Sequence, residues 1–208
     1  ISLNTMKNQI CTILGGGGFI GRYLVRNLTK KNYRCIISTR KAFQKGYLKT
    51  QATPGAIELV DWNSNNFSEI KEAIQNSDIV INLIGILYET RKQKFYNIHS
   101  GIPDAVSKIC SEADIKKFIH VSAIGASETS KSLYQKSKYQ GEVKALNNFK
   151  NTVIVRPSVV CGTEDNFTNL FSKLSFLPVI PIVGINYKFQ PILVTDVADA
   201  IIAAIEKK

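Results

Sequence analysis

The sequence predicts a doubly wound α/β fold, a parallel sheet with helices on both faces and the strand order 3-2-1-4-5-6. Three observations point there. Apolar β-rich runs alternate with amphipathic segments along the whole chain, which is the pattern of a parallel sheet covered by helices. The strand-like runs lack polar alternation, as suits strands buried on both faces. A chain of 208 residues with 44% hydrophobic and 21% charged content is long enough for one substantial core.

Taken in order, the first strand covers 9–14 and runs into a block of glycines, after which the apolar periodicity changes to that of a helix over 18–30. The second strand is the apolar run 34–39, the third 57–60, and a short amphipathic helix follows over 67–75. Strand four, 79–84, is continuously apolar up to Asn82, and helix 101–113 comes after a polar stretch. Strand five covers 118–122, helix 133–148 follows a Ser-rich loop, strand six covers 153–156, and a last helix fills 195–206. The stretch 163–190 has weak periodicity and reads as an excursion from the sheet.

Composition restricts the partners. The formal charge of +11, from 27 basic and 16 acidic residues, favours a phosphorylated cofactor, an anionic lipid surface, a nucleic acid or an acidic neighbouring subunit. No nucleic-acid motif accompanies the charge, so nucleic acid is not an expected partner. No run approaches the roughly 18 apolar residues that a bilayer span requires, and the most apolar late segment, 174–185, is broken by Pro178 and Pro181. Cys11, Cys35, Cys110 and Cys161 lack CxxC spacing and read as buried thiols in a reducing compartment. The only histidines, His99 and His120, have no acid or cysteine at ligand spacing, so no metal is expected, and His120 reads as a satisfied core residue. Arg91-Lys92-Gln93-Lys94 reads as a solvated face, with a membrane surface or acidic partner as the alternative.

The strongest local signal is Gly15-Gly16-Gly17-Gly18-Phe19-Ile20-Gly21, directly after the first strand and opening the first helix. Gly15, Gly18 and Gly21 hold the spacing of a dinucleotide fingerprint: one glycine for the tight turn, one for close approach to a pyrophosphate, one for packing helix on strand. The helix N-terminus adds free N–H groups and a positive dipole end. Where NAD-preferring Rossmann folds carry an acid after the second strand, this chain has Arg40 and Lys41. A guanidinium binds a 2′-phosphate and a carboxylate would repel it, so NADP(H) is favoured over NAD(H). Two positions stay open: Arg40 either reads that phosphate or packs its stem over the adenine, and Asp61 either meets the adenine amino group or only shapes the turn before Trp62.

Tyr134 and Lys138 lie one helical turn apart and share a helix face, and Ser122 ends the preceding strand. With the glycine fingerprint upstream, this set resembles the Ser and Tyr-x-x-x-Lys residues of the short-chain dehydrogenase/reductase superfamily. The segments 81–85, 118–123, Val155-Arg156-Pro157-Ser158 and 190–198 are similar to its extended and atypical branches, the epimerase/dehydratase-like members included. Within those branches, 134–142, 162–167 and 190–198 resemble the nucleotide-binding accessory subunits of respiratory complex I, of the alpha-subcomplex subunit nine type, and their bacterial relatives. The likeness runs from about Cys11 to Ile205.

The resemblance implies that Lys138 lowers the tyrosine pKa and binds the nicotinamide ribose, that Tyr134 exchanges a proton with a substrate oxygen, and that Ser122 orients that oxygen. It implies cofactor contacts at Gly15, Gly18, Phe19, Ile20, Gly21, Arg40, Asp61, Leu83, Gly85, Tyr134, Lys138 and Pro157. It further implies a tightly held NADP(H) with a structural role, complex I subunits and a membrane surface as partners, and a place in the cytoplasm or on the mitochondrial matrix side, peripheral to the inner membrane. The alternative is an active NADP-dependent oxidoreductase or nucleotide-sugar epimerase/dehydratase using Ser122, Tyr134 and Lys138. On this reading residues 1–8 are an N-terminal extension or remnant, the sole methionine being Met6. Residues 9–161 are the Rossmann domain, 162–190 lead toward a smaller substrate-side lobe that is cut short, and 191–208 are a returning helix.

Overall fold

The computed structural model describes residues 9–62, 66–165 and 189–207. Six parallel strands form the sheet: β1 (Ile10–Leu14), β2 (Arg34–Thr39), β3 (Ile57–Asp61), β4 (Ile79–Asn82), β5 (Lys117–Val121) and β6 (Thr152–Val155), in the order β3-β2-β1-β4-β5-β6. The expected order is the observed one. Register follows burial: Ile13 faces Ile37 on one side and Ile81 on the other, so the sheet centre is apolar across three strands.

Helices cover both faces. α1 (Phe19–Lys30) and α5 (Val194–Glu206) lie on one side, where Leu24, Val25, Leu28, Ile201 and Ile202 pack on Cys11, Ile13 and Ile37. α2 (Ser68–Gln75), α3 (Ile102–Glu112) and α4 (Leu133–Asn148) lie on the other, where Ile70, Ile74, Val106 and Ala145 share a core with Leu14, Val80 and Phe118. Successive residues of a strand point to opposite faces, so β1 supplies Ile13 to one core and Leu14 to the other. Each such buried side chain contributes about 1.5–3 kcal/mol relative to exposure. Pro103 sits in the first turn of α3, where its missing N–H costs nothing. At the far end Lys117 Nζ donates to the carbonyls of Ala204, Ile205 and Lys207, a cation on the negative end of α5.

Three features lie outside the sequence reading. A 3-10 helix, Ala42–Gln51, follows β2; it starts from Lys41 in the left-handed region (φ 54°) and buries Ala42 and Leu48. A π-type turn, Tyr96–Gly101, leads into α3. Two two-residue strands, β7 (Val160–Cys161) and β8 (Ile192–Leu193), pair in parallel beside the main sheet. Most of the expected excursion, 166–188, lies outside the described residues, as do 1–8 and Lys208. Cys11, Cys35 and Cys110 are buried free thiols and Cys161 is half-buried. Burial pushes the Cys35 and Cys110 thiols up to about 12.

Candidate functional site

In a sheet of this order the connections from β1 and β4 leave in opposite directions, which opens a crevice at their carboxyl ends. A cleft of about 350 Å³ occupies that place. Its walls come from the glycine loop (Gly15, Gly17, Gly18), the end of β2 (Ser38, Thr39, Arg40), Lys45, Trp62, the segment after β4 (Leu83, Ile84, Gly85, Ile86), Gln93 and Ile98.

The loop geometry requires glycine at two positions above all. Gly15 has φ +79° and donates its N–H to Ser38 O at 2.8 Å, which ties the loop to the end of β2. At Gly21 a Cβ would stand 2.3 Å from Gly16 O, so α1 lies too close to the loop for any side chain. Gly18 is the residue preceding α1, with no side-chain cap, and a Cβ there would meet only Gly15 O at 3.2 Å. The first-turn amides of Phe19, Ile20 and Gly21 have no partner inside the helix. These free amides open α1 directly after Gly18, with no acid in the first turn to compete for an anion. This fits a pyrophosphate.

Arg40 and Lys45 line the next part of the cleft, and among the described residues no carboxylate does. The Lys45 stem crosses the glycine loop, with its Cγ 3.6 Å from the place of a Gly17 Cβ. Asp61 does not line the cleft; its Oδ1 accepts from Lys41 N–H at 3.0 Å and holds the left-handed residue that starts the 3-10 helix. Trp62 follows it, buried and part of the cleft lining, with Nε1–H donating to Asn66 O at 2.6 Å.

At the other end, Asn82 finishes β4 and its Oδ1 accepts from Ile84 N–H at 3.0 Å, shaping the Leu83–Gly85 turn. Lys138 reaches this turn from α4. Its side chain is 4% exposed, its Nζ donates to Val121 O at 3.3 Å, and Nζ lies 3.1 Å from where a Gly85 Cβ would be. Burial pushes the lysine down to about 8, and the nearby Glu142 carboxylate opposes that shift. Tyr134 is half-buried, its ring edge-on to Phe95 and His99 at 5.7 and 5.2 Å, and burial raises its phenol. Ser122 Oγ is buried and has no hydrogen-bond partner among the described residues.

Of the expected site residues, Gly15, Gly18, Arg40, Leu83 and Gly85 line the cleft, Gly21 packs beneath it, and Lys138 adjoins it at Gly85. Phe19 turns away, ring to ring with Tyr23 and against Gly162. Ile20 and Pro157 are outside the lining; Pro157 O accepts from Ile124 N–H at 2.9 Å, beneath the loop after Ser122. His120 needs correction as a satisfied core residue. Its Nδ1 accepts from Asn82 Nδ2 at 3.2 Å, but its Nε2 has no partner. The expectation missed Lys45, Trp62, Ile84 and Ile86. Thr39 and Ile84 close the expected strands 34–39 and 79–84, and their place at the carboxyl ends was the signal that could have found them; nothing in the sequence marks Lys45 among 27 basic residues.

Fold and site together define a dinucleotide-binding α/β protein. The model of the NAD dependent epimerase/dehydratase family matches residues 11–208, and the chain belongs to that family. It is 33% identical over 204 residues, 97% of the chain, to the mitochondrial NADH dehydrogenase [ubiquinone] 1 alpha subcomplex subunit 9 of Mus musculus, and covers 54% of that protein. The corresponding subunit of Arabidopsis thaliana is 34% identical over 98% of the chain and 52% of the relative. The chain therefore spans about half the length of the curated relatives it matches. Among solved structures, the UDP-glucuronic acid 4-epimerase of Bacillus cereus, in complex with UDP-glucuronic acid and NAD, shares the fold with a TM-score of 0.77 at 20% identity, over 96% of this chain and 74% of that one. No helix among the described residues is long and apolar enough to cross a membrane.

Proposed function

We propose that the chain is an NADP(H)-binding accessory or assembly subunit of respiratory complex I, whose cofactor chiefly holds a docking surface in shape. The observation that carries the nucleotide choice is the cleft wall: Arg40 and Lys45 stand where the adenosine ribose would lie, and no carboxylate among the described lining residues is there to repel a 2′-phosphate. Gly15, Gly18 and the first turn of α1 hold the pyrophosphate, Trp62 flanks the adenine side, and Lys138 meets the nicotinamide ribose beside Gly85. The accessory role is supported by about one-third identity, over nearly the whole chain, to proteins named as complex I subunits. It carries with it a matrix-side position peripheral to the inner membrane. Residues 9–161 serve as the nucleotide domain, and α5 returns to pack with α1 on one face of the sheet. A bound ligand stabilises its fold by mass action whether or not it reacts.

A second reading is favoured by one specific observation, the Ser122 Oγ unpartnered among the described residues, which has the chemistry to orient a substrate oxygen near Tyr134. On that reading the protein is an NADP-dependent oxidoreductase or nucleotide-sugar epimerase/dehydratase. The bound nicotinamide supplies hydride transfer, while Tyr134 moves the proton and Lys138 holds the ribose. Mass spectrometry of nucleotide released from the heat-denatured protein, with titration of the nucleotide-free protein by NADPH and NADH, tests the first reading. Clear NADP(H) preference is expected, and binding of neither would overturn it. Tyr134→Phe separates the two roles: it abolishes turnover in an enzyme and leaves binding and complex I assembly intact in a scaffold.

A further inference from the structure

His99 occupies a place that no sequence motif marks. It lies in the π-type turn, fully buried, and both ring nitrogens are engaged. Ile86 donates its backbone N–H to Nε2 at 3.0 Å, and Nδ1 lies 2.9 Å from Ser137 Oγ. The Ser137 hydroxyl donates to Tyr134 O at 2.7 Å, so its oxygen can only accept from the ring. One tautomer satisfies all three bonds: neutral imidazole with the proton on Nδ1. Burial and the nearby Lys138 ammonium keep the ring in that state, pushing it down to about 3.

We infer that His99 is a positioning residue that ties the cleft wall at Ile86 to the first turns of α4, and so sets Tyr134 and Lys138 against the nicotinamide end of the site. The inference rests on reading the cleft as a dinucleotide site. Three further contacts support it. The ring stacks on Phe95 at 5.2 Å and meets Tyr134 edge-on. His99 Nε2 and Lys138 Nζ approach Gly85 from two elements, 3.7 and 3.1 Å from where its Cβ would be. At Gly141 a Cβ would fall 1.9 Å from His99 O, so α4 is pressed against the backbone of the turn itself. The turn, the loop after β4 and α4 are therefore packed and hydrogen-bonded together, with the imidazole as their polar link. π-type turns inside helices recur at functional positions.

The test separates the two ends of the cofactor. NADPH and 2′,5′-ADP, which contains only the adenine half, are titrated into the wild-type chain and into His99→Phe, His99→Gln and His99→Asn. Phe keeps a ring for the Phe95 stack and loses both hydrogen bonds; Gln restores an acceptor and a donor. His99→Phe is expected to weaken NADPH binding about tenfold and to leave 2′,5′-ADP binding unchanged, with His99→Gln recovering most of the loss. Unchanged NADPH affinity in His99→Phe, or parallel weakening of both ligands as in a general loosening, overturns the inference alone. A wild-type chain that binds neither ligand overturns the cofactor reading, and the inference with it. If His99→Phe does not fold, His99→Asn, which keeps the donor toward Ser137 and drops the acceptor for Ile86, carries the same comparison.

Discussion

Arg156 closes a two-pronged ion pair on Glu142, whose carboxylate is buried one helical turn beyond Lys138. Its Nε donates to Oε1 at 2.9 Å and its Nη2 to Oε2, while the guanidinium itself stays half exposed. The two partners are not equivalent. Removing Arg156 leaves a buried carboxylate unpaired, whereas removing the Glu142 charge leaves an arginine that water can solvate. Arg156→Met is therefore expected to cost about 3 kcal/mol, more than Glu142→Gln, as read from urea denaturation midpoints.

Lys138 makes the stability of the chain depend on pH. Its folded value, about 8, lies below the ordinary 10.5, so the folded state disfavours the ammonium. Below pH 8 both states are protonated and the burial penalty is complete; from pH 8 to 10.5 the unfolded chain binds more protons, and stability rises with pH. Lys138→Met removes that penalty. The nucleotide-free variant is expected to be more stable than wild type at pH 7, by on the order of 3 kcal/mol, with the gap closing as pH climbs through 8 to 10.5. A gap that stays constant across the window in thermal melts would show that this lysine is not the group responsible.

Two glycines of one loop should fail differently. Gly21→Ala places a methyl on Gly16 O, where only backbone can yield, and costs about 3 kcal/mol or prevents folding. Gly18→Ala meets one oxygen, Gly15 O, at 3.2 Å, which asks the loop to give by only a few tenths of an ångström, and it adds a methyl where the loop meets the start of α1. Its expected signature is near wild-type melting without ligand and at least about tenfold weaker dinucleotide binding, the loss of a charge-assisted contact or two.

Charge at the ribose end is expected to discriminate the nucleotides. Replacing Arg40 and Lys45 together by alanine should lower the ratio of NADPH to NADH affinity by about tenfold or more, as each charge-assisted contact contributes roughly 1.5–3 kcal/mol. The wild-type preference should also shrink as salt is raised. Isothermal titration with both nucleotides at two ionic strengths checks both statements.

The sheet order and the glycine loop were legible because each has a local signature: apolar runs of strand length, and three glycines spaced between a strand and a helix. Tyr134 and Lys138 share α4 as their spacing indicated, and Ser122 follows β5. His99 was not legible, because its partners Ile86 and Ser137 are 13 and 38 positions away and meet only when α4 packs on the turn. The 3-10 helix escaped for another reason. Ala42 and Leu48 are its only buried residues, too few to form a periodic stripe. Asp61 was open to two readings, an adenine contact or a turn-shaping role, and its Oδ1 accepts from Lys41 N–H, a local bond that the sequence does not distinguish from the other.

The cysteines give the chain a built-in clock. Cys11 and Cys35 sit side by side on neighbouring strands, Cys110 lies under the opposite face, and none of the three is open to solvent. A thiolate is the reactive species, so thiols held this deep stay inert toward alkylating reagents until the strands part. Cys161, on the small β7–β8 ladder, can be reached by a lesser opening. The order in which the four are labelled would thus time two events separately, the loosening of the margin and the undoing of the whole sheet.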